Sequence, residues 1–180
     1  MDESFEQKLK EVLGWLQKEY TGIRTGQATP ALLDGIKVES YGTFMPIVQV
    51  GSVGIEDART IRVAPWDLSQ VPAIERAIRE ADLGVSVSSD SMGLRVIFPE
   101  LTSERRAQLV KLAKSKLEDA RVTVRAIRDE VMKDIDAKLK TNDISEDDKF
   151  SMKDKVQKSV DNLNRNLETL FTQKESEISL

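Results

Sequence analysis

The feature that most constrains the fold is a run from Thr102 to Lys140 that contains neither glycine nor proline. Apolar residues recur along this run at intervals of three and four, which is the period of a helix buried along one side. The run predicts one helix roughly 55 Å long, at about 1.5 Å per residue, and such a helix needs partners of similar length. The predicted buried stripe comprises Val110, Ala113, Leu117, Ala120, Val124, Ile127, Val131, Ile135 and Leu139.

Two other segments can provide these partners. Over residues 2–24 the apolar positions again step by three and four, although Gly14 and Gly22 lie inside the segment and lower its intrinsic helix propensity. Ser145 with acidic residues directly behind it is a typical helix start, and a third helix is predicted to continue to about Ile178. The sequence therefore predicts an elongated antiparallel three-helix bundle.

Residues 31–102 have a different pattern, in which short strand-like segments are separated by glycine and proline. The fold class is therefore α+β. Residues 1–30 and 103–180 are expected to form the bundle domain, and residues 31–102 an inserted small α/β domain of mixed strands and helix, in an L-shaped molecule. The strands are predicted at 36–41, 47–50, 59–64 and 94–98, the short helix within 71–84, and a loop at 88–93.

The chain passes twice between the predicted domains, and each junction adjoins the end of a long helix. Pro30 disfavours the helical conformation for the residue before it, and Pro99 closes the inserted domain. Two such junctions side by side predict a hinge. Its residues are Thr29, Pro30, Ala31, Pro99, Leu101 and Thr102.

Composition excludes several classes of function. The chain has no cysteine and no histidine, which removes disulfides, thiolate catalysis, cysteine-ligated zinc and the commonest general base. Neither a G-x-x-x-x-G-K-[ST] nor a G-x-G-x-x-G motif occurs, so we expect no nucleotide hydrolysis, no cofactor and no metal. The start of the chain is acidic and no apolar run approaches about 20 residues, so we expect a cytoplasmic protein without a membrane segment.

Basic residues form one edge of the predicted central helix, beside its apolar stripe. On the residues alone, charge runs of this kind are usually solvated, with local pairs such as Glu118 with Arg121 and Arg125 with Asp129. The formal net charge of −4 argues against unselective nucleic-acid binding, and we expect no DNA binding. The aromatic residues Trp15, Tyr41, Phe44 and Trp66 do not form a stacking pattern with basic residues, and their expected role is packing. The basic edge comprises Lys111, Lys114, Arg121, Arg125 and Arg128.

Several long motifs resemble those of the bacterial ribosome recycling factor family in their order, their spacing and the identity of their residues. The resemblance covers essentially the whole chain, and its departures are Gln27, where the family usually has arginine, and Ser40, where an aromatic residue is common. The motifs are GIRTGQATPALLDGIKVESYG (22–42), ADLG (81–84), LTSERR (101–106), ARVTVRAIRDE (120–130) and ISEDD (144–148).

This resemblance implies a monomeric, non-enzymatic translation factor that enters the ribosome after peptide release. Its implied partners are large-subunit ribosomal RNA and elongation factor G, with which it splits the ribosome into subunits at the expense of GTP. An alternative from another class is a coiled-coil scaffold or co-chaperone that acts as a homodimer, and an enzyme is a distant third. The residues that the resemblance assigns to ribosomal RNA are Arg121, Arg125, Arg128, Lys114, Lys111 and Arg24.

Overall fold

The computed structural model describes residues 3–180 and divides into two compact units. The first unit contains the chain up to Tyr20 together with Gln108–Ser176, and the second contains Thr21–Ala107 together with Glu177–Leu180. The domain boundaries expected at 30/31 and 102/103 fall within the second unit and stay a prediction.

The described chain is built from long helices and short antiparallel strands, which confirms the α+β fold class. Short 3-10 helices also occur at Pro30–Leu33 and Leu68–Gln70. The helices are α1 (Glu3–Thr21), α2 (Ile47–Val50), α3 (Val71–Glu80), α4 (Ser103–Lys140) and α5 (Glu146–Ser179). The strands are β1 (Lys37–Ser40), β2 (Thr43–Pro46), β3 (Gly51–Asp57), β4 (Thr60–Pro65), β5 (Ser86–Asp90) and β6 (Gly93–Ile97).

The first unit is an antiparallel three-helix bundle. The hydroxyl of Tyr20, at the end of α1, donates to the carbonyl of Ala113 early in α4 at 2.8 Å. Lys8, near the start of α1, lies 3.6 Å from Glu130 much later in α4, so α1 and α4 run in opposite directions. Lys153 of α5 lies 2.8 Å from Asp136 near the end of α4, and Arg121 pairs with Glu168, so α5 reverses direction again. The bundle predicted from the sequence is confirmed.

The interior of the bundle is apolar and matches most of the predicted α4 stripe. Leu117, Ala120 and Val124 are buried as predicted, and Leu16 and Leu167 are fully buried on α1 and α5. At its N-terminal end the predicted stripe is wrong by one position, because Leu109 rather than Val110 is buried there. Each of these side chains removes apolar surface from water, which stabilises the bundle by about 1.5 to 3 kcal/mol for a large aliphatic residue.

Side-chain caps and turns determine where the helices begin and end. The Ser145 hydroxyl accepts from the backbone N–H of Asp148 at 3.1 Å, and the Asp148 carboxylate accepts from the N–H of Ser145, also at 3.1 Å. This reciprocal capping starts α5 where the sequence predicted a helix start. The first helix ends at Thr21, three residues before its predicted end at Arg24, because a turn begins at Gly22.

The second unit is centred on a four-stranded antiparallel sheet in the order β3-β4-β6-β5, with a separate β1-β2 hairpin. Helix α3 contributes Ile74 and Ile78 to the same fully buried cluster as Ile61 of β4 and Leu94 of β6. The alternation of buried and polar residues along β4 and β6 therefore reflects one face in this cluster and one face towards solvent.

Four sequence predictions in this unit are wrong. Residues 47–50 form the short helix α2 rather than a strand, and Ile47 and Val50, three residues apart, are both buried. Strands β2 and β3 were missed, and β5 occupies part of the segment predicted as a loop at 88–93. Strands β3 and β5 lie at the edges of the four-stranded sheet, where one side is unpaired and the apolar alternation is weak.

Two glycines allow the strand ends around Pro65 to approach closely. Gly93 has φ +136°, and an added Cβ would lie 2.3 Å from the Val63 carbonyl oxygen. At Gly51 an added Cβ would lie 2.5 Å from the Ala64 carbonyl oxygen. By contrast, Gly54 in β3 and Gly14 in α1 face open space, with nothing within 4 Å of an added Cβ.

Charged residues on the exposed face of the sheet form a small network. Arg62 donates to Asp90 at 2.8 Å and lies 3.5 Å from Glu56, and Arg95 pairs with Glu56 at 2.7 Å. The hydrogen bond from Arg62, helped by the backbone N–H of Met92, lowers the pKa of Asp90 to about 2 from the ordinary value of 3.8.

This pKa shift predicts how the second unit responds to acid. A carboxylate whose pKa is lower in the folded than in the unfolded chain stabilises the fold above its unfolded pKa, and that contribution is lost as the pH falls through the folded pKa. We expect the stability of the wild-type chain to fall between pH 4 and pH 2 more steeply than that of Asp90→Asn. Urea unfolding at several pH values measures this. Parallel curves for the two proteins would show that Asp90 has the same pKa folded and unfolded.

Candidate RNA-binding surface

The basic flank is defined here as Lys111, Lys114, Arg121, Arg125 and Arg128 of α4, all of which lie in the first unit. Their spacing of three, seven, four and three residues keeps them on one side of the helix. Over the full flank the helix rises by roughly 25 Å. The buried residues Leu117 and Val124 hold α4 against the bundle, so the flank sits on a fixed support.

The members of the basic flank differ in how far their charge is already neutralised. Arg121 pairs with Glu118 at 3.0 Å and also with Glu168 of α5. Arg128 lies 3.2 Å from the carboxylate of its neighbour Asp129. These two guanidinium groups are therefore partly neutralised by acidic residues of the bundle itself.

The other three members are more available to an anion. Lys111, Lys114 and Arg125 are exposed, and within residues 3–180 no ion pair joins any of them to a carboxylate. The predicted pair between Arg125 and Asp129 is absent there, because Asp129 contacts Arg128 instead. The flank thus presents uncompensated positive charge, which is the chemistry that binds phosphate groups.

Two further charged residues of α4 pair with charged residues of α1. Glu130 is 3.6 Å from Lys8, and Glu19 of α1 is 3.3 Å from Lys116, whose ammonium group also lies 6.0 Å from the centre of the Trp15 ring. These contacts are exposed and contribute little stability each. None of these four charged residues belongs to the basic flank.

Tyr20 is buried beneath the basic flank, where the charges of Glu168 and Arg121 act on its side chain. Burial, together with the nearby charge of Glu168, raises the pKa of Tyr20 to about 12, although the positive charge of Arg121 opposes this shift. The phenol therefore stays protonated and keeps its hydrogen bond to Ala113, which fixes α1 against α4 below Arg121.

Arg24 was assigned to RNA together with the flank, but it lies in the second unit. Its guanidinium donates to the carbonyl of Pro99 and lies 5.5 Å from the centre of the Phe98 ring. Burial, followed by the nearby positive charges of Arg105 and Arg59, lowers the pKa of Arg24. An RNA-binding role for Arg24 stays a prediction.

The six residues predicted as a hinge also lie within the second unit. Thr29 is extended, with φ −128° and ψ 140°, and Pro30 and Ala31 begin a 3-10 helix. Leu101 is buried, and the Thr102 hydroxyl accepts from the backbone N–H of Arg105 at 3.1 Å, which caps α4. A hinge at these residues stays a prediction.

Sequence reasoning missed a group of exposed aromatic side chains in the second unit. Tyr41, Phe44 and Trp66 were expected to pack, yet they are 78%, 70% and 71% exposed. The Tyr41 hydroxyl donates to Asp67, and the Trp66 indole N–H donates to the carbonyl of Gln49 at 3.2 Å. Their proximity to turns was the only available signal, since an aromatic residue in a turn has few neighbours to cover it.

Other kinds of site find no support in the described chain. Among residues 3–180 no three acidic side chains lie close enough together to hold a metal ion. The helices of the described residues are all too short or too polar to cross a lipid bilayer.

Comparison with known proteins gives consistent results. The family described as ribosome recycling factor matches residues 16–178. The ribosome-recycling factor of Chlorobium phaeobacteroides is 44% identical over 173 residues, covering 96% of this chain and 93% of that protein. That of Rhodospirillum centenum is 43% identical over 175 residues, covering 97% of this chain and 95% of that protein.

Solved structures agree with these relatives. A solution structure of a ribosome recycling factor is similar with a TM-score of 0.78 and 37% identity, covering 97% of this chain and 93% of that one. A second structure places T. thermophilus ribosome recycling factor and E. coli elongation factor G on the E. coli post-termination complex. It matches with a TM-score of 0.67 and 36% identity, covering 97% of this chain and 95% of that one.

Proposed function

Because the chain belongs to the ribosome recycling factor family, a family of non-enzymatic translation factors, we propose that it binds the post-termination ribosome and splits it into subunits together with elongation factor G and GTP. The observation that carries this proposal is the group of unpaired cations Lys111, Lys114 and Arg125 on a rigid helix. Such a group suits the phosphate backbone of large-subunit ribosomal RNA, whose shape rather than base sequence is recognised.

The two units would have different tasks in this function. The first unit holds RNA through the basic flank, because a packed bundle keeps its cations at fixed spacing. The second unit moves at the hinge formed by Thr29, Pro30, Ala31, Pro99, Leu101 and Thr102. The energy comes from the GTPase, since this chain carries no nucleotide-binding motif.

The same proposal makes the protein a cytoplasmic monomer. The alternative, a homodimeric coiled-coil scaffold, would need an apolar seam on the outside of the helices, whereas the α4 stripe is used inside the bundle. Sedimentation at micromolar concentration separates the two, because a monomer and a dimer differ twofold in mass. A dimer that persists on dilution would support the scaffold.

A recycling assay tests the proposal as a whole. Post-termination ribosomes are mixed with the purified chain, elongation factor G and GTP, and the loss of light scattering reports dissociation into subunits. We expect dissociation only with all components, and none when GDP replaces GTP. Ribosomes that stay intact under every condition, or no ribosome binding at moderate salt, would contradict the proposed function.

Arg125 gives a residue-level prediction. If it contacts a phosphate, Arg125→Gln should weaken ribosome binding and reduce the slope of log affinity against log salt by roughly 0.7 to 0.9. Arg121→Gln should have a smaller effect, because Glu118 and Glu168 already neutralise that side chain. The matched control is Lys10→Gln on the exposed side of α1. Identical slopes for wild type, Arg125→Gln and the control would show that Arg125 contacts no phosphate and that the basic flank is a solvated surface.

A further inference from the structure

A cavity of about 400 Å³ lies in the groove between α1 and α4, wholly within the first unit. This volume falls in the range of small-ligand sites. Val12 and Ile127 supply apolar lining, and the Trp15 ring lines the cavity while staying 39% exposed. Because Val12 is buried in the bundle, the floor of the cavity is held in place by the packed core.

The cavity lies on a different side of α4 from the basic flank. Asp119 and Thr123 line it, and they precede Arg121 and Arg125 of the flank by two positions each, which is roughly 200° around a helix. Arg121 pairs with Glu168 of α5, whereas the cavity faces α1. A ligand in the cavity would therefore not occupy the surface that the basic flank presents.

The charges that line the cavity favour a cation. Glu11 on α1 and Asp119 on α4 are exposed, and within residues 3–180 neither carboxylate takes part in an ion pair. Lys8 contributes an ammonium group to the lining, but this group already lies 3.6 Å from the carboxylate of Glu130. Glu11 and Asp119 thus leave uncompensated negative charge at the cavity, which attracts positive ions.

The aromatic and apolar lining distinguishes an organic cation from a metal ion. The face of a tryptophan ring attracts an ammonium group within about 6 Å, and the ammonium of Lys116 lies 6.0 Å from the centre of the Trp15 ring. A metal ion needs several oxygen ligands, and the part of the chain that the structure describes nowhere gathers three acidic side chains for one. An alkylammonium chain can instead place its methylene groups against Val12 and Ile127.

We infer that this cavity binds an aliphatic polyamine, with its ammonium groups at Glu11 and Asp119 and its methylene groups along Trp15. Two carboxylates on separate helices suit a ligand whose positive charges are separated by a short apolar chain. A basic protein has similar charges, but a stable protein interface buries about 800 Å² on each partner, far more than this lining offers. The inference does not rest on the proposed function, because it involves neither RNA nor the basic flank.

The test titrates spermidine into Trp66→Phe, in which Trp15 is the remaining tryptophan, and follows its fluorescence at low ionic strength. We expect a saturable change that an equal concentration of Mg²⁺ does not produce. Glu11→Gln and Asp119→Asn should each raise the Kd roughly two- to fivefold. The matched control is Asp161→Asn, which removes an exposed carboxylate of α5 outside the cavity and changes the net charge equally. Its Kd should equal that of the parent protein.

A calorimetric titration measures the contribution of the ring. Trp15→Leu keeps the site apolar but removes the aromatic face, and we expect its Kd for spermidine to rise roughly two- to fivefold. Helical circular dichroism and thermal unfolding check that each variant folds, which is expected for Glu11→Gln and Asp119→Asn because both side chains are exposed.

Three results would overturn the inference. The first is the absence of saturable binding. The second is an equal rise in Kd for Asp161→Asn and Asp119→Asn, or an equal response to Mg²⁺, since spermidine would then respond only to net charge. The third is a lysine-rich peptide that binds more tightly than spermidine with the same dependence on Glu11, which would assign the groove to a protein partner.

Discussion

Gly93→Ala should unfold the second unit at much lower denaturant concentration than wild type. The backbone at Gly93 has φ +136°, a conformation that costs alanine about 1 to 3 kcal/mol. The new Cβ would also lie 2.3 Å from the Val63 carbonyl oxygen and 2.8 Å from Pro65, and such overpacking costs about 1 to 3 kcal/mol more. Trp66 lies in this unit and Trp15 in the other, so urea unfolding followed by Trp66 fluorescence in a Trp15→Phe background measures the effect.

Gly54→Ala is the matched control for this prediction. Gly54 lies in β3 of the same sheet, and an added Cβ there meets nothing within 4 Å. Its unfolding midpoint should therefore stay near that of wild type. Equal midpoints for Gly93→Ala and Gly54→Ala would mean that β4 and β6 do not approach as closely in solution as in the structure.

Leu167→Ala should strongly destabilise the first unit. The side chain is fully buried in α5, and truncating it to alanine leaves a cavity in the bundle. Substitutions of this kind cost about 2 to 5 kcal/mol, which is a large fraction of the stability of a domain of this size. Thermal and urea unfolding followed by helical circular dichroism and by Trp15 fluorescence measure the loss.

Leu112→Ala serves as the comparison for the bundle. Leu112 lies on α4 but is 44% exposed, so its removal should change stability by no more than about 0.5 kcal/mol. The difference between the two leucines isolates burial from helix propensity, since both sit in the middle of long helices. Similar losses for both variants would mean that Leu167 is not buried in the bundle as the structure has it.

The long helices could be predicted from sequence because their signals are local and repeated. The stripe of Leu117, Ala120 and Val124 recurs over many turns, so an error of one position at Val110 leaves the helix and its buried face unchanged. The start of α5 was predictable for a related reason, since Ser145 and Asp148 cap each other within a single turn.

The sheet was harder to predict because its strands are short and are defined by their partners. The sequence IVQV at 47–50 alternates like a strand, yet it forms one helical turn that buries Ile47 and Val50. Strand β5 carries a mainly polar sequence and is recognisable only through its pairing with β6. Tertiary pairing, rather than intrinsic preference, decides such segments.

Functional residues on one helix can likewise be located from the sequence, whereas residues from distant segments cannot. The basic flank follows a helical period within one segment, so the sequence alone located it. By contrast, a cavity of about 310 Å³ in the second unit is lined by Gln27, Arg59 and Arg106 from three distant parts of the chain, and no local pattern connects them. The ion pairs that distinguish Arg121 from Arg125 also depend on Glu168, a residue from another helix.

The open space at Gly14 and Gly54 has a practical consequence for measuring motion. The natural chain contains no cysteine, so a thiol introduced at each of these positions would be the only reactive sulfur in its unit. Neither substitution disturbs a packed neighbour, because nothing lies within 4 Å of an added Cβ at either site. Fluorescent dyes attached at the two positions would report the distance between the units, molecule by molecule, before and after the chain is mixed with post-termination ribosomes.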